Sequence, residues 1–378
     1  MPTAISLGLT AACSHRMSER SGMSSGGQSL SWLRGTLGGM RHVVAFTVLA
    51  GLWGLIPGVS SWAGAASARR VAPIRPGALA VAPDGGLYIA DGGRNQILER
   101  LPNGRFTVVA GDGRRGFSGD GGRAVYARLN GPAGMVVGSG GTLYFADAFN
   151  NRVRAISRSG TISTVAGNGR GGWTANGSAA RAAPILSPAA VAIGPDHRLY
   201  IAASGWGEVL RLERNGTLTR VAGVRRPAGV FGVGRSATEA SADGVNGLAF
   251  DASGNVYLAG SNAKTLLMID RATGLMRLPA GISGFYPRGD GGLAATPRGS
   301  VLGMNTQEIV AVTPHGVRPI YNFGGRKTAD VSGFVPDGLA ISSDGAIYTD
   351  TYHGNGWSSG SAIVVLTPHH RVRALWAR

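Results

Sequence analysis

One stretch constrains this chain more than any other. Residues 131 to 167, GPAGMVVGSGGTLYFADAFNNRVRAISRSGTISTVAG, recur in recognisable versions from Pro76 to the C-terminus. Short apolar runs at Met135 to Val137, Leu143 to Ala146, Val153 to Ile156 and Ile162 to Ala166 alternate with Gly, Asn and Ser clusters. That is the pattern of four short strands joined by tight turns. One second-strand position registers all the copies, at Tyr88, Tyr144, Tyr200, Tyr257, Leu302 and Tyr348, with intervals of 56, 56, 57, 45 and 46 residues. Sixfold repetition of a four-stranded antiparallel unit is the signature of a propeller, whereas a solenoid of parallel strands would show a shorter period. The predicted fold is all-β, a six-bladed β-propeller of four-stranded antiparallel blades over residues 76–378.

Smaller features agree with that register. Ten residues before each registered position stands Ala78, Gly134, Ala190, Gly247, Gly292 or Gly338, small residues suited to an innermost strand crowded near an axis. The third and fourth strands are joined through Asn103-Gly104, Ser159-Gly160, Asn215-Gly216, Thr273-Gly274 and His315-Gly316, as hairpins that need positive φ demand. The 63 glycines sit at fixed places in the repeat, so they mark turns, not a flexible linker. Arg371 to Trp376 supplies a fourth strand to the sixth unit, so closing the ring requires no exchanged strand; Val71 to Ile74 is left open as an addition.

Ahead of the repeats the sequence changes character. Residues 1–39 are Ser- and Gly-rich without periodicity and read as an unstructured or mis-annotated extension, with Met23 and Met40 as alternative starts. Residues 40–68 resemble a secretory signal, with a basic Met40-Arg41-His42, an apolar run from Val43 to Ile56, and a small-residue stretch with Ala-x-Ala cleavage sites. The run is short for a membrane span, which needs roughly 20 residues, so membrane contact is expected only if the segment stays uncleaved. Residues 69–75 form a linker. The expected destination is extracytoplasmic, in a periplasm, on a cell surface or secreted. Cys13 is the only cysteine, which rules out an internal disulfide and a Cys-based metal site.

Charge limits the partners. Lys+Arg total 37 against 20 Asp+Glu, a formal +17, and all but Lys264 and Lys327 of the basic residues are Arg. The arginines are spread through every repeat without a basic run, and zinc-finger spacing, a basic helix and an aromatic RNA-binding signature are all missing. A weak, salt-sensitive attraction to polyanions is expected, and no specific nucleic acid.

With the repeat registered, YIADGGRNQILERL (88–101) and YFADAFNNRVRAIS (144–157) resemble NHL repeats. The connector AGDGRRGFSGDGGRAVYARLNGPAGMVV (110–137) is equally similar to bacterial NHL proteins, with its Gly119-Asp120-Gly121-Gly122 turn and an Ala- and Leu-bearing helix. The resemblance spans 76–378, strongest in the first two units. Blade three departs from it, with Ala202-Ala203-Ser204-Gly205-Trp206 where the motif has Asp and Asn, and blades four and five also lack the Asp. The resemblance implies a six-bladed propeller that binds proteins, glycans or RNA, often extracellular in bacteria, with a minority of related propellers acting as lyases or lactonases.

Candidate residues follow from the register. Asp91, Asp147, Asn95, Asn150, Asn151 and Arg152 near second-strand ends could form a polar ligand surface; the plainer reading is that they satisfy turn backbone. Asp120, Asp290 and Asn176 are read as N-caps of short Ala-rich helices, because their Gly-rich runs lack the Gly-Lys-Ser/Thr of a phosphate loop. Trp206, Tyr352, His353 and Trp357 lie on loops of the connector face, which also carries Phe117, Trp173, Phe231, Phe285 and Tyr286. Exposed aromatics with Asn and Arg suit sugar or peptide recognition, and packing between blades is the competing role. His197, His315 and His369 fall in rim turns and cannot converge on one ion.

The leading expectation is therefore an exported, non-catalytic, monomeric scaffold for a protein or cell-envelope glycan, without a cofactor, and with Trp206, Tyr352, His353, Trp357, Asn150, Asn151 and Arg152 as ligand contacts. The alternative is a metal-dependent lyase or lactonase with calcium or another divalent ion on Asn246, Asp290 and Asp337 at the channel mouth and His353 nearby. The matching Gly77, Ala133 and Ala189 offer no side-chain ligand.

Overall fold

The computed structural model describes residues 76–378 apart from 83, 226–229, 243, 261–264, 280–291, 305–307, 323–334, 353–360, 368–371 and 378. The segments proposed as extension, signal and linker lie outside the described residues, as do His353, Trp357, Asp290, Phe285, Tyr286 and His369. Each repeat unit forms one antiparallel sheet with its strands in chain order, and the six sheets are the blades of a propeller. Blade one holds Pro76–Val81, Leu87–Asp91, Gln96–Arg100 and Phe106–Ala110. Blade two holds Pro132–Val137, Leu143–Asp147, Arg152–Ile156 and Ile162–Ala166. Blade three holds Pro188–Ile193, Leu199–Ala203, Glu208–Leu212 and Leu218–Ala222, and blade four begins at Val245–Phe250. All six registered positions fall in second strands, as predicted.

The turn chemistry follows the sequence with one difference. Gly104, Gly160, Gly216 and Gly274 all have positive φ. In blade five, Gly316 instead opens the fourth strand, Gly316–Asn322, opposite Thr313, leaving Pro314 and His315 as the turn. Crowding at the inner strands also has the predicted cause: a Cβ on Gly134 would stand 2.6 Å from Ala190 Cα of the next blade.

The ring closes by packing. Blade six draws all four strands from its own unit, ending with Val372–Ala377. Leu79, Ile89 and Leu98 of blade one share a core with Ala340 and Ile363 of blade six.

Long connectors explain the 56-residue period. From the end of blade one's fourth strand, the chain runs along the outer edge of blade two, where Gly121 N–H donates to Ile162 O and Ile162 N–H to Gly122 O. It then reaches the far turn, where Ala124 N–H donates to Gly160 O. Its apolar residues Ala124, Ala127 and Leu129 are buried between blades one and two. Ala180, Ala183 and Ile185 repeat the arrangement at blade three, and Ala237, Ala240 and Ala242 at blade four. Burying such side chains contributes roughly 25 cal/mol per Å² of apolar surface, so each connector is a wedge that cements two blades. The intervals of 45 and 46 after Tyr257 leave less chain for such a device.

Of the expected Ala-rich helices, the one after Asp120 shrinks to a single turn of 3-10 helix at Ala124–Tyr126 without a side-chain cap, and the stretch after Asn176, residues 178–185, forms turns in place of a helix. The stretch at Leu293–Ala295 is a strand. Asp120 and Asn176 therefore do not serve as N-caps. The wedge's backbone groups are satisfied by the neighbouring hairpins, which leaves a longer helix without a role.

One position permits only glycine. Gly111, Gly167 and Gly223 start the first three connectors at φ +95°, +91° and +109°. A Cβ there would lie 2.9 Å from the Cα of Gln96, Arg152 and Glu208 respectively. The fourth strand shifts register against the third just before this point, between Ile97 and Leu98, Val153 and Arg154, and Val209 and Leu210. This bulge turns the chain toward the next blade.

Candidate functional site

Antiparallel order puts the connectors and the loops between second and third strands on one face. The turns between first and second and between third and fourth strands lie on the other. His197 and His315 occupy turns of that second face, as the sequence predicts.

The loop after blade two's second strand is stitched into the connectors on either side of it. Asp147 is buried, and its Oδ1 accepts the Asn130 N–H at 2.7 Å. Asn150 Nδ2 donates to Asp147 Oδ2 at 2.8 Å and to Gly116 O at 2.7 Å. Asn151, in a left-handed conformation at φ 50°, accepts the Ser187 N–H at 2.9 Å. In blade one Asn95 repeats this, accepting the Gly131 N–H at 3.0 Å, while Asp91 Oδ1 accepts the Arg94 N–H at 3.1 Å. These amides and carboxylates supply partners to loop backbone that would otherwise be unsatisfied. Asn95 and Asn151 link their loops to the connector that leads into the next blade, while Asp147 and Asn150 bind the connector that precedes their own.

Beneath that layer lies a side chain the sequence reading did not single out. Arg154, in the middle of blade two's third strand, is 0% exposed. It binds Asp120 Oδ1 at 2.6 Å and lies 3.5 Å from Asp147 Oδ2. It also donates to Ser118 O at 2.9 Å and Arg128 O at 3.2 Å. The Thr164 hydroxyl donates to the other Asp120 oxygen at 2.6 Å. Phe117 caps the cluster, with the Arg152 guanidinium 3.7 Å and the Arg154 guanidinium 4.9 Å from its ring centroid. Arg152 donates to Asn150 O and Asn168 O at 3.0 and 2.9 Å, tying the first connector to the second.

The charges set the proton affinities. Burial drives Asp120 upward, but the Thr164 hydroxyl and the Arg154 guanidinium outweigh it and hold the carboxyl below the usual range. Asp147 is raised by burial, which its bonds from Asn150 and Asn130 and the charge on Arg154 only partly offset. Burial lowers Arg152 despite Asp120 and Asp147. The cluster binds its own charges and presents no free acid or base.

Blade three builds the matching place with other residues. Positions 56 apart correspond, so Trp173 stands for Phe117, Asn176 for Asp120, Glu208 for Arg152, Leu210 for Arg154 and Arg220 for Thr164. The buried charge is now the Glu208 carboxylate, which accepts the Thr174 N–H at 3.3 Å and lies 3.4 Å from Arg220 Nε. Arg220 also donates to Thr174 O and stands 4.1 Å from the Trp173 ring. Asn176 accepts the Arg220 backbone N–H at 2.8 Å. Burial raises Glu208, and the Thr174 N–H and Arg220 compensate only in part.

Of the residues chosen from sequence, Asn150, Asn151 and Arg152 come together at the blade-two cluster, beside Phe117. Trp206 lies at the position equivalent to Asn150; it is half-buried, with its indole N–H turned inward and without an acceptor among the described residues. Tyr352 ends blade six's second strand, Ile347–Tyr352. Asn246 lies in blade four's first strand and Asp337 in blade six's, Val335–Ile341. Among the described residues no group of three or more His, Cys, Asp or Glu is placed to hold a metal ion. The matching positions Gly77, Ala133 and Ala189 carry no side-chain oxygen, and Asp290 and the Asp337 side chain lie outside the described residues.

Arg154 carries a signal that the sequence contains. An arginine sits where the aligned copies have Leu98 and Leu210, and a charge at a repeat's core position demands a buried partner.

Comparison with known proteins fits this architecture. The Teneurin NHL domain family matches residues 102–172, which span the blade-two cluster from Phe117 to Thr164. Teneurin-3 of Danio rerio is 28% identical over 207 residues, covering 48% of this chain and 8% of that protein. Teneurin-1 of Homo sapiens is 36% identical over 94 residues, covering 21% of this chain and 3% of that protein. The match thus spans less than a tenth of either relative. Among solved folds, a streptogramin B lyase aligns at a TM-score of 0.50 and 12% identity, over 80% of this chain and 83% of that one. A putative gluconolactonase aligns at 0.51 and 15%, over 82% and 93%. At such identities the likeness is one of fold. Repeat, blades and matched segment agree on an NHL-repeat propeller.

Proposed function

We propose that this NHL-repeat propeller is an exported, non-catalytic scaffold that binds a protein partner through its connector face. The observation that supports this reading most is the pair of aromatic side chains left outward on blade two: Phe117 is 40% and Phe149 67% exposed. Solvent-exposed aromatic rings held by a rigid frame are the residues from which protein interfaces draw most of their energy. Their frame is rigid because the polar groups beneath them are bonded to one another and to connector backbone. The teneurin resemblance supports an extracellular setting.

The test is selection of a displayed random-peptide library on the full chain. Enrichment of peptides that lose binding to Phe117→Ala and Phe149→Ala variants supports the reading; enrichment indifferent to both, or none, defeats it. The metal-dependent alternative predicts a stoichiometric divalent ion in the purified protein. One calcium per chain by elemental analysis, lost on Asp337→Asn, would move the function to the channel mouth.

A further inference from the structure

The exposed rings of blade two stand among arginines that form no ion pair with a carboxylate among the described residues. The Arg115 guanidinium lies 6.0 Å from the Phe149 ring centroid and donates to Asn130 Oδ1 at 2.9 Å. Arg152 stacks on Phe117 at 3.7 Å and bonds two carbonyl oxygens. The two halves are one surface, because Asn150, next to Phe149, donates to Gly116, next to both Arg115 and Phe117. Arg114 and Arg115 are exposed, and among the described residues no carboxylate is in ion-pair contact with Arg114, Arg115 or Arg152.

The acids of this neighbourhood are committed elsewhere. Asp147 and Asp120 hold Arg154, Asp91 is buried beside Arg94, and Asp112 faces Arg128 at 3.8 Å while accepting the Arg114 N–H. The result is a patch of alternating ring and guanidinium with a net positive charge. Arg115 uses its Nε on Asn130 and turns a planar guanidinium, the group that best meets a planar carboxylate, to solvent, while Arg152, whose two terminal nitrogens already bond Asn150 O and Asn168 O, adds its charge beside it.

Resting on the reading of a protein-binding connector face, we propose that this patch docks an acidic protein segment. Carboxylates of the segment meet the exposed Arg115 in the positive field to which Arg152 contributes, and its apolar side chains cover Phe149 and the exposed part of Phe117. A glycan would find Phe117 already stacked by Arg152, and the charge of the patch has no counterpart on a neutral sugar. A nucleic acid would be expected to exploit a longer basic track, and the cations here are interrupted by rings and carbonyl contacts.

The library selection described above also tests this inference. Peptides enriched on the full chain are expected to carry Asp or Glu beside Leu, Ile or Phe. A selected peptide should lose about tenfold or more in affinity when its acids become amides or when the protein carries Arg115→Glu, with weaker binding as salt rises. Phe149→Ala and Arg115→Glu change exposed side chains, so an unchanged melting temperature separates lost binding from lost fold. Enriched peptides without an acidic bias, or indifference to Arg115→Glu, would overturn the acidic-segment inference while leaving protein binding intact. Heparin or a single-stranded oligonucleotide competing with the selected peptide at lower concentration than its own acidic homologue would also overturn it. No enrichment at all would defeat both readings.

Discussion

Blades two and three are docked by the same device with the charges interchanged. In blade two the fully buried charge on the third strand is a cation, Arg154, held by the connector's Asp120 and by the equally buried Asp147 of the second strand. In blade three it is an anion, Glu208, held by a fourth-strand arginine and a connector N–H. Both lie under an aromatic ring of the connector stacked by a guanidinium. The frame is thus conserved between the copies while its electrostatics are not: what each copy keeps is a paired charge and a covered ring. The difference teaches that the interface selects for satisfaction of a buried charge and tolerates either sign.

The largest effect is expected where a charge is stranded. Arg154→Leu, which installs the residue of blades one and three, should cost about 3–5 kcal/mol because Asp147 stays buried without its cation. Adding Asp147→Ala and Asp120→Asn, the blade-three residues at those positions, should recover most of that loss. Denaturant unfolding of the single and triple variants checks this; a triple variant no better than the single would break the equivalence of the two interfaces.

Next come the connector starts. Gly167→Ala and Gly223→Ala each force a Cβ into a left-handed backbone pressed on the start of the same blade's third strand, for a cost of about 1–3 kcal/mol from conformation alone. Equal losses in thermal unfolding would sharpen the claim of a common frame, and a loss at only one would break it.

Acid response separates the clusters by sign, with a smaller effect than the glycine substitutions. Asp120 has a depressed pKa when folded, so its contribution is present above its unfolded value and is lost as pH falls through the folded value. Glu208 has a raised one, so its contribution is complete below the unfolded value and is lost as pH climbs through the folded value. Asp120→Asn should therefore lower stability at neutral pH and matter less under acid. Glu208→Gln should be neutral or stabilising at neutral pH and lose that advantage as pH falls through the raised folded value. Melting curves of both variants against wild type across this range decide the matter; parallel curves would refute the contrast.

The smallest stability change belongs to the surface. Phe149→Ala should stay within about 0.5 kcal/mol of wild type, which makes it the variant in which binding and folding are read apart.

Much of this could be seen in the chain beforehand, and the reason lies in range. Strands, turns and blade count are encoded within each unit, so Tyr88 and its five counterparts, with the glycines at 104, 160, 216 and 274, declare themselves by spacing. The buried clusters are encoded between units: Asp120 meets Arg154 across 34 residues and Thr164 across 44. No local pattern reports such pairs, and Asp120 before a Gly-Gly reads equally well as a helix cap. Asn150, Asn151 and Arg152 were identifiable as polar loop residues, but their partners, Gly116, Ser187 and Asn168, belong to connectors whose path only the fold reveals.

That path has a consequence for how such a ring can be cut or grown. The wedge from Gly111 to Gly131 is continuous with blade one, yet its charged half-pair belongs to blade two. A graft or duplication bounded at residues 111 and 166 carries Phe117, Asp120, Asp147, Arg154 and Thr164 together. One bounded at residues 76 and 131 separates Asp120 from its arginine and delivers two defective joints. The modular unit of this propeller is a connector followed by its blade, offset by one linker from the unit that the eye picks out of the repeat.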